Sequence, residues 1–233
     1  MATAQVRYKA ADRKEQILTI ATGLFARQGF RGTTTKQIAE HAGVTEALIF
    51  RHFPSKEELY WAVIDRKTKV TGPAERMRER IQQGGTDLEI LAGIAQEILE
   101  RRAQDQTLSR LLLYSALESH RLSNRFFRTY VVESYEVLAE YVRSRMDAGV
   151  FRQLDPLLAA RGFLGMVIYH SWVQDLFGGK RYQAFSVKEV SRTLAEVWLN
   201  GMLSPAGTSS GGGKSNGTRN NPRRQQGNSN GAH

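Results

Sequence analysis

Signals for the ends of helices recur along most of the chain, and they constrain the fold more than any other feature. At four predicted helix starts a Ser or Thr precedes a Glu or Gln by three residues, which is the spacing of a helix capping box. The pairs are Thr34 with Gln37, Ser55 with Glu58, Thr86 with Glu89 and Ser186 with Glu189. Alternating apolar segments joined by Asn-Gly or Asp-Gly turns, which would predict hairpins, are not seen before residue 204. We therefore predict an all-α fold.

The spacing of apolar residues, combined with these caps, divides the chain into about nine helices. Short helices fill the first quarter, with spans of 12–28, 46–52 and 56–69. Longer ones follow, among them 123–149 behind a Ser123 cap, 156–177 and 186–203. Gly, Ser and Asn dominate residues 204–233, which lack aromatic residues and carry four basic and no acidic side chains. We predict that this tail is disordered, because it cannot bury enough apolar surface to offset its ordering entropy.

Composition excludes several classes of protein. The 233 residues contain no Cys, which removes disulfide frameworks, thiolate metal sites and thiol nucleophiles. No apolar stretch approaches the roughly 18 residues that a membrane span needs, and charged residues crowd the first 15 positions where a secretion signal would be apolar. We expect a soluble cytoplasmic protein with no membrane association, metal site or cofactor. Its net charge of +10 favours an anionic partner.

Enzyme motifs are weak or missing. The stretch from Gly207 to Ser215 imitates a phosphate-binding loop, but five residues instead of four separate Gly207 from Gly213, and no strand precedes it. His170, Ser171 and Asp175 would share one helix, where adjacent side chains point apart, so they cannot form a catalytic triad. We therefore predict a binding protein and no enzyme.

Residues 34–53 have the pattern of a helix-turn-helix. This motif needs a small residue where two short helices touch, a glycine in the turn and an apolar residue that locks the second helix to the first. Ala39, Gly43 and Ile49 supply these three features. Taken alone, the same pattern also fits a tight helical hairpin with a purely structural role.

The surrounding sequence resembles the TetR family of bacterial transcriptional repressors. The resemblance covers about 50 residues, 10–60, and includes ARQGF, TTKQIAEHAGV and LIFRHFPSKEEL. It implies a three-helix DNA-binding unit with a fourth linking helix in residues 10–70. It also implies an all-α domain in residues 71–203 that dimerises and binds a small ligand.

The DNA-binding residues follow from this motif. The second helix of a helix-turn-helix enters the major groove with its first residues nearest the base edges, which makes Thr45, Glu46, Ala47 and Leu48 the predicted base readers. Phosphate contacts are predicted for Thr33, Thr34, Lys36, Arg51, His52 and Lys56. Phe50 stands where relatives commonly have Tyr, so it offers a ring without a hydroxyl. Either His52 or Glu46 could instead be a simply solvated side chain.

Aromatic residues cluster in the second half of the chain, where the resemblance implies a lipophilic ligand pocket. The candidate lining residues are Tyr114, Phe127, Tyr130, Ser134, Phe163, Tyr169, His170 and Trp172. Ordinary core packing is the alternative for each of them, because aromatic residues at helical spacing usually just pack.

The last two helices resemble the family's dimer interface, a four-helix bundle to which each subunit contributes two. A homodimer suits a palindromic operator, because two recognition helices about 34 Å apart can enter successive major grooves. The resemblance implies a repressor that a small lipophilic effector releases from operator DNA. Two alternatives remain: an architectural DNA-binding protein without ligand response, and an activator on the same fold.

Overall fold

The computed structural model describes residues 10–118 and 120–203. The predicted disordered tail, 204–233, lies outside them. The helices are α1 (Ala10–Gln28), α2 (Thr35–Ala42), α3 (Glu46–His52), α4 (Lys56–Thr71), α5 (Pro73–Gln82), α6 (Asp87–Gln104), α7 (Thr107–Glu118), α8 (His120–Phe126), α9 (Val132–Asp147), α10 (Pro156–Ser171) and α11 (Val187–Met202). Phe127–Val131 and Trp172–Leu176 form π-helical turns, and Gly179–Arg181 a short 3₁₀ turn.

The all-α prediction is confirmed. Only Gly72 separates α4 from α5, and the first π turn joins α8 to α9. If each of these two pairs is counted as one helix, the eleven helices of the described residues reduce to the predicted nine. None of these described helices combines the length and the apolar character that crossing a bilayer requires.

Two of the four predicted capping boxes form completely. Thr34 with Gln37 and Thr86 with Glu89 exchange both hydrogen bonds, and Ser55 Oγ accepts from the Glu58 amide at 3.1 Å. Ser186 precedes α11, but its side chain makes no capping hydrogen bond, so that predicted box is wrong. The predicted Ser123 cap is also wrong, because Leu122 and Phe126 are buried and the helix that carries them begins before Ser123.

An N-terminal apolar cluster holds α1 to α4 together. Ile17 and Phe25 of α1 pack with Ile38 of α2 and Ile49 of α3, all at most 1% exposed. Burying such side chains stabilises the fold by about 1.5–3 kcal/mol each. Leu111 of α7 belongs to the same cluster. The domain boundary near residue 70 stays a prediction.

A second cluster joins α5, α6, α9, α10 and α11. Trp198 lies near its centre, where its indole N–H donates to the Ala159 carbonyl at 3.1 Å. The rings of Phe151 and Phe163 meet Trp198 edge-on, with centroids 5.7 and 5.6 Å away. The cavity described below lies between this cluster and the helices of the N-terminal one.

Candidate DNA-binding surface and ligand cavity

The helix-turn-helix forms as a tight pair. Gly43 adopts φ +62°, a left-handed conformation that favours glycine, and the Val44 amide donates to the Ala39 carbonyl at 3.0 Å. Thr45 then caps α3 by accepting from the Leu48 amide, and Ile49 is buried against α2. These contacts fix the angle at which α3 leaves the domain surface.

The predicted base readers, at the start of α3, differ in exposure. Thr45 and Ala47 are exposed, and Leu48 is half-buried. The Glu46 carboxylate accepts a hydrogen bond from the Thr35 hydroxyl of α2, so a base that Glu46 reads must share that carboxylate. The phenyl ring of Phe50 is 43% exposed beside them, which leaves an apolar surface at the end of α3. The base contacts themselves stay predictions.

The predicted phosphate contacts divide into two groups. Thr34, Lys36 and Arg51 are exposed, as such contacts require. Thr33 is fully buried, and its hydroxyl donates to the Gly29 carbonyl at 2.8 Å. A phosphate contact from the Thr33 side chain is therefore wrong, because the hydroxyl has no access to DNA.

Lys56 and His52 are also partly enclosed. The Lys56 ammonium donates to the Thr33 carbonyl at 3.0 Å and lies 4.3 Å from the ring centroid of Phe30. Burial lowers the pKa of Lys56. The Lys56 side chain thus links the α1–α2 connection to the start of α4. A DNA phosphate could bind this ammonium only alongside its hydrogen bond to the Thr33 carbonyl. His52 is half-buried, and its Nε2 is buried without a hydrogen-bond partner among the described residues.

A partly open cavity of about 370 Å³ lies beside α4 and is lined by residues of α4 to α10 and of the first π turn. Its apolar wall consists of Met77, Ile94, Ile98, Leu108, Leu112, Phe126, Val131, Leu164 and Ile168. The volume falls within the roughly 300–1,000 Å³ that small-molecule sites span. The cavity can therefore hold a compact apolar ligand or part of a longer one.

Charged side chains also line this cavity. Lys67 pairs with Asp105 at 2.6 Å, and Arg101 and Arg76 both pair with Glu97, the former at 3.2 Å. Arg102 donates to the Ser109 hydroxyl at 2.6 Å, and burial lowers the pKa of its guanidinium. The wall is thus apolar with a group of cations at the C-terminal end of α6. Sequence reasoning missed these cations, because arginines near a helix end usually lie on a solvated face.

Two of the eight predicted ligand residues, Tyr130 and Ser134, line the cavity. The Tyr130 hydroxyl also donates to Asp65 of α4, which joins the cavity wall to the linking helix. Phe127 is 44% exposed, because the π turn adds a residue to the helix and rotates this position away from the predicted stripe.

The other five predicted ligand residues do not line this cavity. Phe163 is fully buried against Trp198, and Tyr114 donates to the Arg27 carbonyl of α1 at 3.0 Å. Tyr169 and His170 line a second, more open cavity of about 530 Å³ near Phe185, and Trp172 is half-buried in the second π turn. Aromatic character identified packing positions better than it identified the cavity.

Helix α7 separates the cavity from the DNA-binding unit and contacts both. Leu108, Ser109 and Leu112 face the cavity. On another face, Arg110 donates to the Ala26 carbonyl at 2.7 Å, and Tyr114 donates to Arg27. Backbone carbonyls in the last turn of a helix have no hydrogen-bond donor within that helix. Arg110 and Tyr114 of α7 supply donors for two such carbonyls of α1.

Two further contacts strengthen this junction. The Glu118 carboxylate accepts from the Arg31 amide at 2.9 Å, just beyond α1. The buried Tyr60 hydroxyl of α4 donates to the Leu111 carbonyl of α7 at 2.8 Å, and burial raises the pKa of Tyr60. A displacement of α7 would therefore alter hydrogen bonds to both α1 and α4.

Two protein-family models match the chain and give the class of protein, a bacterial transcriptional regulator. The family model described as "Bacterial regulatory proteins, tetR family" matches residues 17–63. The model described as "AefR-like transcriptional repressor, C-terminal domain" matches residues 89–199. The chain belongs to the TetR family.

Individual relatives agree with this assignment. The HTH-type transcriptional repressor KstR2 of Rhodococcus jostii (strain RHA1) is 28% identical over 200 residues, covering 83% of this chain and 92% of KstR2. FadR from Bacillus subtilis, solved in complex with stearoyl-CoA, superposes with a TM-score of 0.64 at 22% identity, covering 80% of this chain and 98% of FadR. AibR, solved with isovaleryl coenzyme A and operator DNA, gives 0.62 at 21% identity, covering 79% of this chain and 97% of AibR.

Proposed function

We propose that this protein is a homodimeric repressor that binds a palindromic operator and leaves it when a small lipophilic ligand enters the cavity. The observation that carries the proposal is the position of α7, which lines the cavity and hydrogen-bonds the end of α1. The family, with a curated repressor among the relatives, supports the DNA-binding half. Neighbours solved with acyl-coenzyme A ligands support the ligand half.

DNA recognition is assigned to the exposed side of α3. Ala47 and Leu48 offer apolar contacts, which suit the methyl group of thymine, and Thr45 offers a hydroxyl. Thr34, Lys36 and Arg51 hold the phosphates on either side and set the register without reading sequence. This division gives a small specific surface on a domain of modest net charge.

Dimerisation is assigned to the exposed faces of α10 and α11. Leu158 and Tyr169 of α10 are each 64% exposed, and Val197 of α11 is 59% exposed. Gly162 and Gly165 lie between the first two along the same face, with open space above them. Such a face on two antiparallel helices suits isologous packing against a second copy.

Ligand control would work through α7. A ligand that contacts Leu108 and Leu112 and favours a shifted α7 moves the end of α1, which packs against α2. The two recognition helices would then lose the spacing of about 34 Å that successive major grooves require. The ligand must bind the shifted form more tightly than the operator-bound form, because equal affinity would leave the equilibrium unchanged.

Variants at Leu48 and Arg51 test the DNA-binding assignment. We expect Arg51→Ala to weaken binding about tenfold to a duplex selected by the protein and to random DNA alike, since one charged phosphate contact is lost. The slope of log affinity against log salt should fall by about one. Leu48→Ala should instead change the preferred bases. Fluorescence anisotropy on matched duplexes measures both effects.

Arg143→Ala is the control, because Arg143 is an exposed arginine on α9, distant in sequence from the helix-turn-helix. It should leave affinity and salt slope unchanged. Unaltered binding in both α3 variants would contradict the assignment of α3 as the recognition helix.

A further inference from the structure

The charges that line the cavity do not balance. Lys67, Arg76, Arg101 and Arg102 contribute to its wall, with Glu97 and Asp105 as the carboxylates. Arg76 and Arg101 share Glu97, and Lys67 holds Asp105. Two carboxylates therefore serve four cations, and the wall carries an excess of positive charge.

Arg102 is the cation of this wall without an ion-pair partner among the described residues. Its guanidinium donates to the neutral Ser109 hydroxyl, and no carboxylate of the described residues lies within ion-pair distance of it. Asp175 acts on it only from further away and pairs with Lys180 at 3.1 Å. A guanidinium stays charged in proteins, so leaving it without a counter-charge in a partly buried wall costs free energy. A ligand anion would remove that cost.

The position of Arg102 along α6 suggests how such a ligand lies. Ile94, Ile98 and Arg102 follow each other at intervals of four, so they share one face of α6, and all three line the cavity. Leu164 and Ile168 of α10 also line it. The face of α6 thus changes from apolar to cationic over two helical turns.

We propose that the effector is an organic anion whose hydrocarbon body lies along α6 and whose carboxylate or phosphate binds Arg102, which makes Arg102 the residue that selects charged over neutral ligands. This inference rests on the proposed function, because it identifies the chemical class of that effector. The planar guanidinium suits either anion, since it donates two parallel hydrogen bonds to carboxylate or phosphate oxygens.

The unmodified protein provides the first test. We expect calorimetry to give a dissociation constant for dodecanoate at least about tenfold lower than for dodecanol, because a charge-assisted hydrogen bond contributes about 1.5–3 kcal/mol. Equal affinity for the acid and the alcohol, together with equal affinity of the unmodified protein and Arg102→Met for dodecanoyl-coenzyme A, would overturn the inference.

Arg102→Met then tests the residue, because Met keeps an unbranched apolar stem and removes the charged guanidinium. It should abolish the preference for dodecanoate and leave dodecanol binding unchanged, whereas Arg143→Met should change neither. A variant that still prefers dodecanoate tenfold would contradict the assignment. Thermal unfolding of both variants without ligand shows whether either has lost its fold. If Arg102→Met does not fold, Arg102→Lys replaces it, and this variant should retain the preference for dodecanoate because it keeps the positive charge.

Dodecanoyl-coenzyme A distinguishes the two sources of the anion. A loss of affinity in Arg102→Met for the free acid alone assigns Arg102 to a carboxylate, and a loss for the thioester assigns it to a coenzyme A phosphate. A loss for neither overturns the inference. Operator release is measured separately by anisotropy. Release by dodecanol as effectively as by dodecanoate would refute the inference alone, whereas tight binding of dodecanoate without release would refute the proposed function alone.

Discussion

Leu158→Glu is expected to convert the protein to monomers and to weaken operator binding by at least about a hundredfold. Leu158 lies on the exposed apolar face of α10 that we assign to the dimer interface. Because the proposed interface is isologous, one substitution would place two carboxylates in it without partners, and a buried unpaired charge costs several kcal/mol. A monomer presents only one recognition helix, so the second half-site no longer contributes.

The change itself should leave the subunit folded. Asp155 caps α10 by accepting from the Leu158 amide at 2.9 Å, so Leu158 occupies the third position of the helix, where Glu is favourable. Leu117→Glu on α7 is the matched control, because that leucine is 86% exposed and lies outside the proposed interface. Light scattering gives the mass and anisotropy gives the affinity. A dimeric Leu158→Glu protein with normal affinity would contradict the interface.

Gly29→Ala is expected to lower the free energy of unfolding by about 2–4 kcal/mol. Gly29 has φ +76°, which costs an L-residue about 1–2 kcal/mol. A Cβ built there would lie 2.1 Å from the Glu118 carboxylate and 2.8 Å from the Tyr114 ring, both on α7. Relieving this overlap displaces the Glu118 carboxylate and the Tyr114 ring, which weakens their hydrogen bonds to the Arg31 amide and the Arg27 carbonyl.

Gly43→Ala provides the control for backbone strain. Gly43 also has a positive φ, +62°, but a Cβ there would meet nothing within 4 Å. Chemical denaturation should therefore give a loss of only about 1–2 kcal/mol for Gly43→Ala. Equal losses in the two variants would show that the contacts of Glu118 and Tyr114 with the end of α1 contribute little to stability, and would contradict their part in coupling through α7.

Local sequence rules predicted the N-terminal helices well. Thr34, Gly43 and Thr45 act through neighbours within a few residues, so capping and left-handed turn chemistry can be read directly from their order. The same rules failed at Ser123, because burial of Leu122 and Phe126 decided where that helix begins. Packing with distant residues overrides a local cap signal in such places.

The cavity was much harder to predict than the DNA-binding surface. A π turn changes the helical register after Phe126, and no simple spacing rule announces it. Aromatic residues such as Phe163 were chosen for their size, yet size favours core packing. The spacing of four between Ile94, Ile98 and Arg102 can be read from the sequence. The same spacing also fits an ordinary buried helix face whose last residue, the arginine, lies in solvent. Only the arrangement of α6 around the cavity separates these two interpretations.

Selection of bound duplexes from a random DNA pool, with the unmodified full-length protein, tests the central claim most directly. The account predicts enrichment of an inverted repeat whose half-site centres are about 34 Å, or ten base pairs, apart, as two α3 helices in successive major grooves require. Enrichment that stays flat, or that yields a site without two-fold symmetry, would contradict a dimeric, sequence-specific repressor.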